Sequence, residues 1–246
     1  MSLSALYREP LRLDPVAHRH LRLTPLSDHS AAAGLHGCFV AVAEFTTAAR
    51  DYPVLFVRGE VDGDERVEPV VLLGVEAGEN LFVDGTRWDC RYVPAYVRRY
   101  PFGTMRVEGQ EQPAVTIDRW WRGFSETEGE PLYVGDGQPA PRLAAALEFI
   151  ANFEVEAQRT FEFCDRLQAL ELLRPLNAEI TLASGRKLAL DGLLAVDDAK
   201  LLALPDAQVV AMHRNGMLPA LHAHLLSLAN LQSLVDRKAQ RLQAAA

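Results

Sequence analysis

Residues 92–102 combine three tyrosines, two prolines, two adjacent arginines and a phenylalanine. Prolines cannot donate to a strand ladder, and the segment is too aromatic for an ordinary solvated loop. Tyrosine offers stiff contact area and arginine a planar charged donor, so together they are typical of recognition surfaces. The segment predicts a surface that holds a carboxylate or phosphate between aromatic walls. Its candidate ligand-binding residues are Tyr92, Tyr96, Arg98, Arg99 and Tyr100.

A packing role is the alternative for the same segment. Its prolines and tyrosines would then shape a turn, and its arginines would pair with acidic surface residues. If the segment is extended, adjacent side chains point to opposite faces. One of Arg98 and Arg99 is then expected to face Tyr96 and the apolar interior, and the other to reach solvent or a ligand. Residues 120–124, with two tryptophans and a phenylalanine, are expected to cap this surface.

Histidines are the next candidates, because imidazole nitrogens bind iron and zinc. His18 and His20 would share a face if residues 16–23 form a strand. His222 and His224 cannot bind one ion together, since two positions along a helix separate side chains by about 200°. Only His224 falls within an apolar stripe, as a ligand, a proton carrier or a hydrogen-bonded core histidine. No cofactor is predicted, and an iron or zinc site using His18, His20 and His224 is the alternative.

Recognised nucleophile and phosphate motifs are missing from the sequence. It has no Gly-x-Ser-x-Gly elbow, no Walker loop and no dinucleotide-binding fingerprint. Cys38, Cys90 and Cys164 lie far apart and outside CxxC spacing, which predicts reduced and mostly buried thiols. Scattered carboxylates such as Glu44 could act as acid or base, but no pairing is readable. Whether the protein is an enzyme is therefore left open.

Charge and hydropathy exclude several classes of protein. A net charge of −8 disfavours a nucleic-acid partner, which needs a positive surface. No stretch approaches about 18 uncharged apolar residues, so no membrane-spanning helix is expected. Residues 1–13 contain charges and a proline and lack an apolar run, so no signal peptide is predicted. A cytoplasmic location is the expectation that follows.

The elements that must position these side chains change character along the chain. In residues 1–138, short apolar runs alternate with turns about every ten residues, which predicts an antiparallel sheet or small barrel. Residues 54–57 and 70–75 flank a charged, glycine-bearing turn, which indicates a hairpin. Residues 139–246 have mainly helical patterns.

The second part is predicted to begin with a helix over 141–173, with prolines at its start and apolar residues at intervals of three and four. A β-hairpin follows, with its turn at residues 184–185. Asp197 or Asp198 is expected to cap a short helix. One leucine-rich helix containing residues 218–235 is expected near the end of the chain.

Several short pieces of sequence resemble those of bacterial SapC-like proteins, over about residues 40–234. They are Glu44-Phe45, Tyr52-Pro53-Val54, Leu72-Leu73-Gly74, residues 78–82, residues 92–102 and His213-Arg214-Asn215-Gly216. The segment 92–102 is the specific part of the resemblance. The resemblance implies accessory work linked to nutrient uptake, and it supplies no catalytic residues. Some family members carry transporter labels, but a permease needs membrane spans that this sequence lacks.

These patterns predict an α+β fold, in which a β-rich part over 1–138 is covered by a mainly helical part over 139–246. The two parts are expected to form one SapC-like unit, because the apolar helix faces need a sheet to cover. The leading functional hypothesis is an accessory protein that binds a small molecule or protein partner through its aromatic and arginine surface. The alternative is a metal-dependent, oxygenase-like enzyme with histidine ligands assembled by folding.

Overall fold

The computed structural model describes residues 6–24, 27–61, 64–110, 112–181 and 187–244. Its strands, numbered in chain order, are β1 Pro10–Arg12, β2 Arg22–Leu23, β3 Gly37–Phe39, β4 Val54–Val61, β5 Asp64–Leu72, β6 Val83–Asp84, β7 Arg87–Trp88, β8 Phe102–Met105, β9 Ala114–Asp118, β10 Phe124–Ser125, β11 Glu130–Pro131, β12 Tyr133–Val134, β13 Gln138–Pro139, β14 Leu173–Thr181 and β15 Lys187–Val196. Its helices are α1 Phe45–Ala48, α2 Ala95–Arg98, α3 Pro141–Ala169, α4 Asp198–Leu202, α5 Asp206–Arg214, α6 Met217–Ser227 and α7 Asn230–Ala244.

A five-stranded antiparallel sheet forms the centre of the fold, in the order β14-β15-β4-β5-β3. The hairpin predicted from residues 54–57 and 70–75 is β4–β5. The predicted second hairpin, β14–β15, joins the same sheet, because Leu194 of β15 pairs with Phe56 of β4. Strands from both parts of the sequence therefore share one sheet. The turn expected at residues 184–185 lies outside the described residues.

Smaller sheets lie beside the central one. One has the order β1-β9-β8, and in another β2 pairs with both β10 and β11. No sheet within the described ranges closes into a barrel. Of the two predicted arrangements, an antiparallel sheet or a small barrel, the β-rich part therefore has sheets. The α+β class is as predicted.

Helix α3 runs along the central sheet and contacts β5 and β8. It begins at Pro141, whose fixed φ suits a first helical turn. It ends at Ala169, and not at residue 173 as predicted. Beyond it, Glu171 has a φ of 51°, a left-handed conformation that ends the helix before β14. Ile150 and Phe153 lie on its buried face, in agreement with the apolar periodicity.

The prediction of one helix through residues 218–235 is wrong, because α6 and α7 are separate helices. At the first residue of α7, the Asn230 side chain donates to the backbone carbonyls of Ala49 and Tyr52, at 2.8 and 3.1 Å. This long-range contact anchors the start of α7, and local leucine spacing does not encode it. The predicted cap at Asp197 is confirmed, because its side chain accepts from the backbone of Lys200.

Buried side chains from both parts of the chain meet in the largest core cluster, which includes Phe45, Tyr52, Phe56, Leu167, Leu221 and Leu234. A second cluster lies between the smaller sheets and the start of α3, and consists of Leu23, Phe102, Ile117, Leu132, Leu143 and Ile150. This second cluster supports the region in which the candidate site is found.

Candidate functional site

The segment 92–102 is helical in part, whereas the sequence led us to consider an extended segment. Pro94 starts the short helix α2, and the chain then enters β8 at Phe102. Adjacent side chains on a helix point about 100° apart and not to opposite faces. Arg98 and Arg99 nevertheless have different surroundings, because Arg99 is buried whereas Arg98 is exposed.

Arg99 is the arginine that faces Tyr96 and the interior. Its guanidinium carbon lies 4.4 Å from the centre of the Tyr96 ring and 4.5 Å from that of Phe153. Its Nη1 is 3.9 Å from a carboxylate oxygen of Glu154, while its buried Nε has no hydrogen-bond partner. Only 6% of Arg99 is exposed. Stacking between two rings suits the weakly hydrated guanidinium and makes Arg99 part of the core.

Arg98 reaches the surface beside helix α3. Its Nε donates to the Val93 carbonyl at 2.9 Å, and its Nη2 lies 3.3 Å from the Tyr92 hydroxyl. Its guanidinium carbon is 5.1 Å from the centre of the Phe149 ring. Within the described part of the chain, no carboxylate lies at ion-pair distance from Arg98. Its guanidinium is therefore held in place without a direct ion pair to any described residue.

Glu44 anchors the segment 92–102 through hydrogen bonds of its carboxylate. Sequence patterns did not reveal this role. Glu44 Oε1 accepts from the Tyr92 hydroxyl at 2.5 Å and from the Ala95 backbone at 2.8 Å. Its Oε2 accepts from the Ala41 backbone at 2.9 Å. Burial and the Glu44 carboxylate raise the pKa of Tyr92, so this hydroxyl keeps its proton and can serve both Glu44 and Arg98.

Tyr100 is fixed by a buried carboxylate on strand β9. Its hydroxyl donates to Asp118 Oδ2 at 3.0 Å, and Asp118 also accepts from the backbones of Arg8, Glu9 and Trp120. Burial alone would raise the pKa of Asp118, but these hydrogen bonds together lower it below its usual value. Burial, followed by the Asp118 carboxylate, raises the pKa of Tyr100. Asp118 is therefore charged and ties the N-terminal strand to the candidate site.

A cleft of about 210 Å³ opens where residues 98–102 meet the start of α3. We call it the arginine–aromatic cleft. Its polar lining consists of Thr24, Arg98, Arg99, Tyr100 and Arg142. Its apolar lining consists of Leu23, Pro101, Phe102, Trp121, Ala146 and Phe149. The lining contains no acidic residue, so the cleft is positive and partly aromatic.

The predicted candidates divide into two groups around this cleft. Arg98, Arg99 and Tyr100 line it, whereas Tyr92 and Tyr96 do not and instead support the two arginines. Sequence reasoning missed Arg142 on α3, because it lies far along the chain from residues 92–102. The acidic partner of Arg142 is Glu130, whose Oε2 is 3.2 Å from Arg142 Nε.

Of the capping residues expected at 120–124, Trp121 belongs to the cleft. Its ring packs edge-on against Phe124, with centroids 5.0 Å apart. Gly123 lies under this ring, because a Cβ atom there would be 2.2 Å from it. Trp120 points elsewhere, is 63% exposed and donates its indole N–H to Glu9 at 2.9 Å.

The histidines considered as metal ligands lie apart in the structure. The supposed strand over residues 16–23 is limited to β2 at Arg22–Leu23, and His18 and His20 are found in a turn with exposed or half-exposed rings. His224 is fully buried, and its two ring nitrogens are bonded to the backbones of Val196 and Val54. No group of three or more possible metal-binding side chains occurs among the described residues.

The three cysteines are unpaired, as the sequence predicts. Cys38 and Cys164 are buried, and burial raises the pKa of both thiols. Thiols with raised pKa values stay protonated near neutral pH and are poor nucleophiles. Cys38, which follows a histidine and a glycine in the sequence, therefore has the environment of a core residue.

Among the described residues, no helix is both long and apolar enough to cross a membrane.

Comparison with known proteins shows the family to which the chain belongs. No curated protein and no solved structure matches the chain. The family model described as SapC matches residues 13–234 of the 246. Because this match covers most of the sequence, the chain belongs to the SapC family.

Proposed function

We propose that this SapC-family protein is an accessory protein that binds a small molecule in the arginine–aromatic cleft. The observation that carries the proposal is Arg98, an exposed guanidinium over the Phe149 ring that has no carboxylate partner among the described residues. A guanidinium held in a fixed position next to an apolar wall suits a ligand with one anionic and one apolar part. The supporting bonds of Tyr92 and Val93 pre-organise this group.

A small molecule fits this site better than a protein partner does. The anchoring groups line a concave cleft, and its volume of about 210 Å³ lies below the ~300–1,000 Å³ typical of pockets for drug-sized ligands. Protein interfaces of stable complexes instead need on the order of 800 Å² from each partner. The link to nutrient uptake rests on family resemblance alone and belongs to the proposal.

The positions of the histidines argue against the alternative of a metal-dependent enzyme with assembled histidine ligands. A metal at His224 would have to displace the bonds to Val196 and Val54, and His18 and His20 lie in an exposed turn. We therefore propose that the protein holds no tightly bound iron or zinc. Elemental analysis of protein purified without a histidine tag tests this, and one equivalent of metal lost on His224→Gln would contradict it.

A cytoplasmic location is also part of the proposal, supported by the three unpaired thiols. Mass spectrometry of freshly lysed cells, with thiols blocked at lysis, should find all three cysteines free. A disulfide-bonded form in the extracellular fraction would overturn this location.

The binding proposal is tested by a thermal-shift screen of small molecules on the full chain. Ligands bound to the folded state raise the melting temperature by mass action. Cleft ligands should lose this effect in Arg98→Gln and keep it in Arg87→Gln. Arg87 is the matched control, because it is exposed and forms ion pairs outside the cleft with Asp84 and Asp89. If every stabilising compound acts equally on both variants, the cleft is not the binding site.

A further inference from the structure

The ion pairs around the arginine–aromatic cleft show which of its guanidinium groups is available to a ligand. Arg142 is paired with Glu130 at 3.2 Å, and Arg99 lies 3.9 Å from Glu154. Arg98 has no carboxylate partner among the described residues. Three guanidinium groups line the cleft, and two acidic side chains outside its lining offset two of them. Arg98 is therefore the lining guanidinium that is most open to an anionic ligand, although the Tyr92 hydroxyl links it to the Glu44 carboxylate.

The remaining hydrogen-bonding capacity of Arg98 suits a carboxylate. A guanidinium carries five N–H donors in a planar fork. Arg98 uses Nε on the Val93 carbonyl and one Nη2 hydrogen on the Tyr92 hydroxyl. Both Nη1 hydrogens and one Nη2 hydrogen are left, which are enough donors to hold a carboxylate with two hydrogen bonds. The bonds to Val93 and Tyr92 fix the plane of this fork.

The rest of the lining offers flat apolar contact. The Arg98 guanidinium lies over the Phe149 ring, and Trp121 is held against Phe124 and above Gly123. Aromatic side chains pack favourably on other rings, with centroid separations of about 4.5–7 Å. The cleft volume of about 210 Å³ limits this apolar body to a small one.

We infer that the ligand of this cleft is a small monocarboxylate with an aromatic or similarly flat apolar body. This inference rests on the proposed function and names the ligand class. Arg98 holds the carboxylate, while Trp121 and Phe149 contact the apolar body. A phosphate dianion fits less well, because it makes no use of the aromatic wall and because Arg99 and Arg142 already have acidic partners.

Three simple probes separate the contributions of charge and ring. Benzoate has both, benzamide has the ring without the charge, and inorganic phosphate has charge without the ring. Each probe is titrated into the tag-free full chain at constant ionic strength, and binding is measured by calorimetry. Benzoate should bind at least tenfold more tightly than either other probe. Arg98→Gln should weaken benzoate binding at least tenfold, and Arg87→Gln should leave it unchanged.

The aromatic wall is tested separately from the charge. Gly123→Ala places a Cβ atom against the Trp121 ring and should displace it, so benzoate binding should weaken severalfold. Trp121→Leu removes the ring without this clash and serves if the alanine variant does not fold. Unchanged benzoate affinity in a folded Trp121→Leu protein would overturn the assignment of the wall.

The remaining outcomes separate this inference from the proposed function. If benzamide binds as well as benzoate, or phosphate binds more tightly, the monocarboxylate inference is wrong. If the binding of benzamide or phosphate is then lost in Arg98→Gln, the result still supports a ligand site in the cleft. If no probe binds and no compound of the thermal-shift screen depends on Arg98, the inference and the proposed function both fail.

Discussion

Replacement of His224 should change how the stability of the protein depends on pH. His224 lies on α6 against the central sheet and has no exposed surface. Its Nε2 accepts from the Val196 backbone N–H at 3.0 Å, so Nδ1 carries the hydrogen donated to the Val54 carbonyl at 2.8 Å. A second proton on the ring would face the Val196 N–H and break this arrangement. Burial, which disfavours the charged ring, lowers the pKa of His224 to about 4.

The size of the effect follows from linkage between protonation and folding. In the unfolded chain the pKa of histidine is about 6.5, so between pH 6.5 and 4 the unfolded state binds a proton that the folded state excludes. Stability due to this group is therefore present at neutral pH and is lost as pH falls through this window. For pKa values of about 6.5 and 4, the free energy of unfolding falls by about 2 kcal/mol between pH 7 and pH 5.

Urea unfolding of the parent and of His224→Gln at pH 7 and pH 5 measures this loss. The glutamine variant is less stable at pH 7 but lacks the titrating group, so its loss between the two pH values should be about 2 kcal/mol smaller. His222→Gln is the matched control, because His222 is exposed on the same helix. Equal pH dependence in the parent and His224→Gln would refute a buried neutral imidazole.

Three further predictions concern packing. Arg99→Ala should destabilise the fold by about 1–3 kcal/mol in urea, whereas Arg98→Ala should cost less than about 1 kcal/mol, and equal losses would contradict their different environments. Gly74→Ala should lower the melting temperature by several degrees, because its Cβ would lie 2.4 Å from a backbone oxygen, while Gly34→Ala has ordinary contacts and should not. A fragment of residues 139–246 should aggregate, and a soluble, cooperatively melting fragment would indicate two domains.

Local sequence patterns were sufficient to predict elements whose apolar residues recur at regular intervals. The three- and four-residue spacing that includes Ile150 and Phe153 predicted α3, and the runs on either side of a charged turn predicted the β4–β5 hairpin. The break between α6 and α7 was not predictable in this way. Asn230 at the start of α7 bonds to the distant carbonyls of Ala49 and Tyr52, whereas the leucine spacing continues across the break.

The candidate site was predictable only in part, for a related reason. Residue type marked Arg98, Arg99 and Tyr100 as unusual, and these three do line the cleft. Their separate roles depend on residues from other elements. Arg99 is buried because Phe153 covers it, and Arg142 reaches the same cleft from α3. Sequence position carries no signal for such convergence without knowledge of the fold.

The pairing of β15 with β4 has a consequence for synthesis on the ribosome. β4 and β5 leave the ribosome long before β15, because the whole of α3 lies between them in the sequence. Until β15 arrives, the β4 edge of the nascent hairpin presents unpaired backbone groups to other chains. Pairing of such distant segments is also slow. The half-made chain therefore passes through an aggregation-prone interval, which makes its yield sensitive to translation rate and to chaperones that shield exposed strands.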